Sequence, residues 1–113
     1  MNPGDVVLVR LPQVGTGPSK LRPAVYLTTL PGPYQDTFVC GISTQLQNIL
    51  PNWDEPVQPG DMDFNSSGLV QASAIRLSYL RAVASSEIVG LIGRIDQARL
   101  FRLRQQLSDY LRP

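Results

Sequence analysis

The spacing of apolar residues changes character along the chain, from short β-branched runs to a three- and four-residue rhythm near the end. Val6-Val7-Leu8-Val9-Arg10-Leu11 is too short and too β-branched for a helix and predicts a strand, opened by the turn residues Pro3-Gly4-Asp5. Pro12 to Lys20 holds Gly15, Gly17 and Pro18 with Thr16 and Ser19, which predicts a mobile loop. A second strand is expected from Pro23 to about Thr29. The third runs from Thr37 to about Ser43, after the turn Pro31-Gly32-Pro33.

Leu46 to Ser67 is interrupted by Pro51, Pro56, Pro59 and Gly60, which leaves room only for a short edge strand around Glu55 to Gln58. A further strand is expected over Leu69-Val70-Gln71-Ala72-Ser73-Ala74-Ile75-Arg76-Leu77, and another over Ile88 to Ile95. In the latter, Gly90 and Gly93 allow curvature or close backbone approach. Asp96 then reads as the N-cap of a terminal helix, whose Leu100, Leu103, Leu107, Tyr110 and Leu111 form one apolar stripe. Short strands joined by turns and closed by one amphipathic helix predict a mainly β fold, a small SH3-like β-barrel with a C-terminal α-helix.

Composition narrows the class. The 113 residues predict a single domain, 1–113, of ordinary globular character with an apolar fraction of 42%. No apolar run approaches a bilayer span, and Met1-Asn2-Pro3-Gly4-Asp5 lacks the blocks of a signal peptide, so a cytoplasmic location without membrane contact is expected. Cys40 is the single cysteine, which excludes an internal disulfide; its apolar neighbours predict a buried, inert thiol. The chain has no His, which removes the usual imidazole acid–base pair and the commonest metal ligand. No metal site and no cofactor are expected.

A net charge of +1 gives no support for nucleic-acid binding by itself. Its distribution says more. Asp54, Glu55, Asp61 and Asp63 form an acidic stretch with no base among them, while Arg94, Arg99, Arg102, Arg104 and Arg112 crowd the C-terminal end. Arginines on a helix are usually solvated charge. Nine of the ten basic residues are Arg, however, which favours forked contact with phosphate or carboxylate.

Candidate chemistry lies in Lys20-Leu21-Arg22-Pro23-Ala24-Val25 and Ile42-Ser43-Thr44-Gln45, a guanidinium before one strand and two hydroxyls at the end of the next. A fixed cation with neighbouring hydroxyls can grip and strain a phosphodiester without a metal. Read alone, Arg22 is by default a surface arginine paired with Asp5 or Asp36, and Ser43 and Thr44 are strand-end hydroxyls bonded to backbone. Gln45 offers an amide to a base edge, Lys20 a flexible charge to phosphate, and Arg76 either an RNA contact or a buried partner for Asp61 or Asp63. Trp53, Phe64 and Tyr34 fall in loops, where rings stack on splayed bases or pack back on the fold.

These segments resemble the MazF/PemK family of bacterial toxin endoribonucleases from type II toxin–antitoxin pairs. Pro3-Gly4-Asp5-Val6-Val7-Leu8-Val9 is similar to the family's strand opening, Ser19-Lys20-Leu21-Arg22-Pro23-Ala24-Val25 to its "RPA" signature, and Cys40-Gly41-Ile42-Ser43-Thr44-Gln45 to its hydroxyl-bearing strand end. Gly68-Leu69, Ser73-Ala74-Ile75-Arg76-Leu77 and Gly93-Arg94-Ile95 are similar to the PemK branch, so the likeness spans nearly the whole chain. The resemblance implies homodimers of SH3-like barrels that cut single-stranded RNA at short sequence contexts without metal. It also implies an acidic antitoxin partner laid across the RNA groove. It puts the catalytic arginine at Arg22 and the catalytic hydroxyl at Ser43, a Ser where the family has Thr, with Thr44 as the alternative. Two other readings fit the same fold: a CcdB-like toxin that binds gyrase through its last helix, and an SH3-like binding module without chemistry.

Overall fold

The computed structural model describes residues 1–11 and 20–112. The β-branched segments form one antiparallel sheet of six strands: β1 (Asp5–Leu11), β2 (Lys20–Thr29), β3 (Thr37–Ser43), β4 (Glu55–Val57), β5 (Ser73–Val83) and β6 (Ile88–Arg94). Their order in the sheet is β4-β5-β3-β2-β1-β6. A four-residue helix, α1 (Phe64–Ser67), and the terminal helix, α2 (Gln97–Leu111), complete the fold. The first loop expected from sequence, from Pro12 as far as Ser19, lies outside the described residues.

The sheet ladder is open, with β4 and β6 as its edges among the described residues, so strand pairing does not close the expected barrel. The sheet instead bends. Register breaks fall between Val6 and Val7 and between Leu8 and Val9 against β6, and between Tyr26 and Thr28 against β3. The largest break lies between β3 and β5, where Cys40 faces Leu80 but the next residue, Gly41, faces Arg76. Extra residues on one strand increase local twist. The bend lets both faces bury apolar side chains, because successive residues on a strand point to opposite sides. Val6, Val25, Leu27, Ile42, Ile75 and Leu77 pack with Leu100 and Leu103 of α2, while Val7, Val9, Leu11, Ala24, Val39 and Val83 form a second cluster.

Several sequence expectations shift. β2 begins at Lys20, so Arg22 lies inside the strand rather than ahead of it. The strand expected over residues 69–77 starts only at Ser73 and continues to Val83, because β3 pairs along its extra length. α2 is capped as expected, the Asp96 carboxylate accepting from the Ala98 N–H at 3.0 Å. Its apolar stripe is buried only in its first half: Leu100 and Leu103 are enclosed, whereas Tyr110 and Leu111 are each 72% exposed. Tyr110 instead meets the Trp53 ring at 5.0 Å between centroids, and Trp53 packs back on the core. Phe64 also packs on the core, while Tyr34 stays in solvent.

The C-terminal arginines are not simply solvated. Arg99 is 7% exposed and uses all five of its N–H donors. Nε and one terminal nitrogen bind Asp63 at 2.8 and 2.9 Å, and the remaining bonds reach Asp61, Glu55 and the Pro56 carbonyl. Arg102 adds a 2.7 Å bond to Glu55, Arg94 pairs with Asp5, and Arg104 donates to the Leu27 carbonyl. The acidic stretch therefore has its base, supplied from α2. Arg76 pairs with Asp54 at 3.6 Å, not with Asp61 or Asp63, because Arg99 has already taken those two.

Candidate functional site

β2 and β3 run antiparallel with Ala24 opposite Gly41 and Val25 opposite Cys40. Continuing that register by two residues brings Arg22 opposite Ser43, at the end of the sheet where the chain leaves β3 for a 3-10 turn (Leu46–Asn48). There a hollow of about 330 Å³ opens to solvent. Lys20 and Arg22 line one side and Ser43 and Thr44 the next. The segment Gly68 to Gln71, with Ile92 of β6, lines the hollow as well.

Electrostatically the hollow is one-signed. No carboxylate is among the described residues that line it. Arg22 is half-buried and its guanidinium has no hydrogen bond or ion pair to a described residue, since Asp5 is taken by Arg94. A guanidinium carries its charge throughout the accessible pH range. Ser43 Oγ accepts the Gln45 N–H at 3.0 Å, which fixes the oxygen at the strand end and leaves the hydroxyl proton uncommitted among the described residues. Thr44 beside it is exposed. The arrangement offers a charged fork and two hydroxyl donors to one anionic group.

Of the residues singled out from sequence, Lys20, Arg22, Ser43 and Thr44 meet at this hollow, and Gln45 and Arg76 do not line it. The Gln45 side-chain oxygen accepts from Gln47 at 2.7 Å, across the turn that carries both. Arg76 leans on buried Asp54, which also accepts from the Leu50 and Ser78 N–H groups and the Ser78 hydroxyl. Cys40 is fully buried, and burial pushes its thiol up to about 12, as an inert core cysteine requires.

Sequence reading missed the segment from Gly68 to Gln71. Gly68 ends α1 in the left-handed conformation at φ 78°, and a Cβ there would lie 2.0 Å from the Ile92 carbonyl oxygen. A Cβ on Gly93 would lie 2.3 Å from the Ser67 carbonyl carbon. The two backbones thus touch at paired glycines, and Ser66 Oγ donates to the Arg94 carbonyl beside them. Gly93 had the right signature for close approach; its partner, some 25 residues away, left none in the local pattern.

The model of the PemK-like, MazF-like toxins of type II toxin–antitoxin systems matches residues 2–111. Among solved structures, the toxin MazF-mt6 of Mycobacterium tuberculosis shares the fold with a TM-score of 0.68 at 17% identity, over 95% of each chain. No curated protein matches the sequence.

Proposed function

The chain belongs to the PemK-like, MazF-like toxins of type II toxin–antitoxin systems, and from that premise we propose that it is an endoribonuclease whose active site is the Arg22–Ser43 hollow. The observation that carries this reading is a guanidinium with no anionic partner among the described residues, lining the same open hollow as two hydroxyls. Such a site favours bound phosphate and, still more, the doubly charged phosphorane formed when phosphate is attacked.

In the proposed reaction a ribose 2′-oxygen attacks the adjacent phosphorus, the bond to the 5′-oxygen breaks, and the chain ends as a cyclic phosphate and a 5′-hydroxyl. Arg22 holds the equatorial oxygens. Ser43, oriented by the Gln45 N–H, donates to the phosphoryl group, with Thr44 as the second hydroxyl. Lys20 sits at the rim as a mobile positive charge for a flanking phosphate. The 2′ proton leaves to water or to the substrate's own phosphate, and water reprotonates the 5′-oxygen. Arginine, always protonated, serves as an electrostatic clamp and not as the base.

The same reading takes a single domain over 1–113 as the working unit. It acts in the cytoplasm as a homodimer of SH3-like barrels, without metal, and is silenced by a cognate acidic antitoxin. The test is cleavage of a mixed-sequence single-stranded RNA in the presence of a chelator, with Arg22→Ala beside the parent. Removing the clamp should lower the cleavage rate by about 10²–10³-fold. Cleavage abolished by the chelator defeats metal independence, and cleavage unchanged in Arg22→Ala defeats the assignment of the site.

A further inference from the structure

The hollow has a side without charge. Leu69, Val70 and Gln71 line it along with the cations and hydroxyls, and Val70 is 93% exposed. Gln71 is exposed, and its side-chain amide has no bond to a described residue. Only the Gln71 backbone is engaged, its carbonyl accepting from Ser73 Oγ at 2.9 Å.

This wall is held at both ends. Upstream, Ser67 Oγ accepts the Leu69 N–H at 3.2 Å and donates to the Phe64 carbonyl, while Gly68 rests on the Ile92 backbone. Downstream, Ser73 is buried at the start of β5. A free amide on a pinned backbone is suited to recognition, because only the side-chain torsions are left to be ordered on binding. Gln45, the amide favoured by sequence, meets neither condition: it does not line the hollow and its oxygen is occupied by Gln47.

Resting on the nuclease reading of the hollow, we infer that Gln71 is the residue that reads a base beside the scissile phosphate, with Leu69 and Val70 as the apolar surface against which that base lies. Phosphate contacts position a strand but carry no sequence information, whereas an amide offers one donor and one acceptor to a base edge. Single-stranded RNA is read on splayed, unstacked bases hydrogen-bonded at their edges. Gln71 is thus a specificity residue, and Arg22 with Ser43 acts on any sequence that the wall admits.

Two randomised pools separate this role from catalysis. The first is single-stranded RNA, digested by the full chain and by Gln71→Ala, Gln71→Glu and Gln45→Ala, with the new ends sequenced. Gln71→Ala should flatten the preference at one position next to the cut by about tenfold, the size of one good base contact. Gln71→Glu, which lacks the donor, should change the base chosen there. Gln45→Ala should leave the profile as it was.

The second pool is 2′-O-methyl RNA, which cannot be cut by its own 2′-oxygen and reports binding preference alone. A base preference in that pool that disappears in Gln71→Ala supports the assignment even where the first pool stays uncut, in which case only the nuclease reading fails. Profiles unchanged by Gln71→Ala, a shift caused by Gln45→Ala instead, or binding without base preference overturns it. Thermal unfolding of each variant within about 2 °C of the parent shows that a changed profile does not come from a disturbed fold.

Discussion

Arg99 and Arg22 are the same side chain put to opposite uses. Arg99, in the first turn of α2, lies buried with every donor bonded, ringed by Glu55, Asp61 and Asp63. Arg22 lies half-buried near the start of β2, beside an open hollow and with no anionic partner among the described residues. The first has spent its binding capacity on the fold. The second keeps it for something outside the chain. The difference lies in which carboxylates the topology delivers to each, because composition alone gives nine arginines of equal promise.

The sharpest way to break this contrast is to remove each guanidinium in turn. Arg99→Ala leaves Asp61 and the buried Asp63 without their counter-charge and Glu55 with Arg102 alone, and should cost about 3–5 kcal/mol of stability. That is a fall of at least ten degrees in melting temperature for a domain of this size, read by calorimetry. Arg22→Ala should move the melting temperature by no more than a degree or two and act on cleavage instead. A matching loss of stability in both variants would mean that Arg22 also serves the fold.

The second comparison is between the wall of the hollow and the strand that supports it. Gly93→Ala forces a methyl into the Ser67 carbonyl, and relieving that clash should cost on the order of 1–3 kcal/mol. Because the displaced backbone carries Leu69 to Gln71, the base profile should blur while Arg22 stays in place. Ser43→Ala is milder. It removes one neutral donor from the phosphate, worth roughly tenfold in cleavage rate, with Ser43→Thr restoring activity.

The smallest effect comes from acid. Burial opposes ionisation of Asp63, but the Arg99 hydrogen bond, the Asp96 N–H and the Arg99 charge outweigh it and hold the carboxyl below its ordinary value. A carboxyl depressed in the folded state contributes stability that is full above its unfolded pKa. That contribution drains away as pH falls through the lower, folded value. Unfolding followed below pH 4 should show this loss in the parent and in Arg22→Ala, and little of it in Arg99→Ala.

How much of this was legible depended on distance along the chain. The alternation of β1 to β3 and the Asp96 cap are local signals, and β3 runs from Thr37 to Ser43 as its pattern predicts. The pairing of Arg22 with Ser43 needed only two neighbouring strands in register. The base for the acidic stretch did not show, because its partners sit 36 to 44 residues upstream of Arg99. The second half of β5 was overlooked because Ser78 and Arg81 interrupt its apolar run, and its order comes from pairing with β3. Gln71 was passed over for the same reason: only the contact of α1 with β6 turns an unremarkable linker into a wall.

The Arg99 knot also sets an order of events during synthesis. Glu55, Asp61 and Asp63 leave the ribosome well before the guanidinium that they share, so a nascent chain carries three mutually repelling charges with nothing to gather them. Until α2 emerges and docks, the loop bearing them lacks the counter-charge that joins Glu55, Asp61 and Asp63. A ribosome stalled before α2 is exposed therefore displays the strands of the hollow while the acidic loop still lacks Arg99.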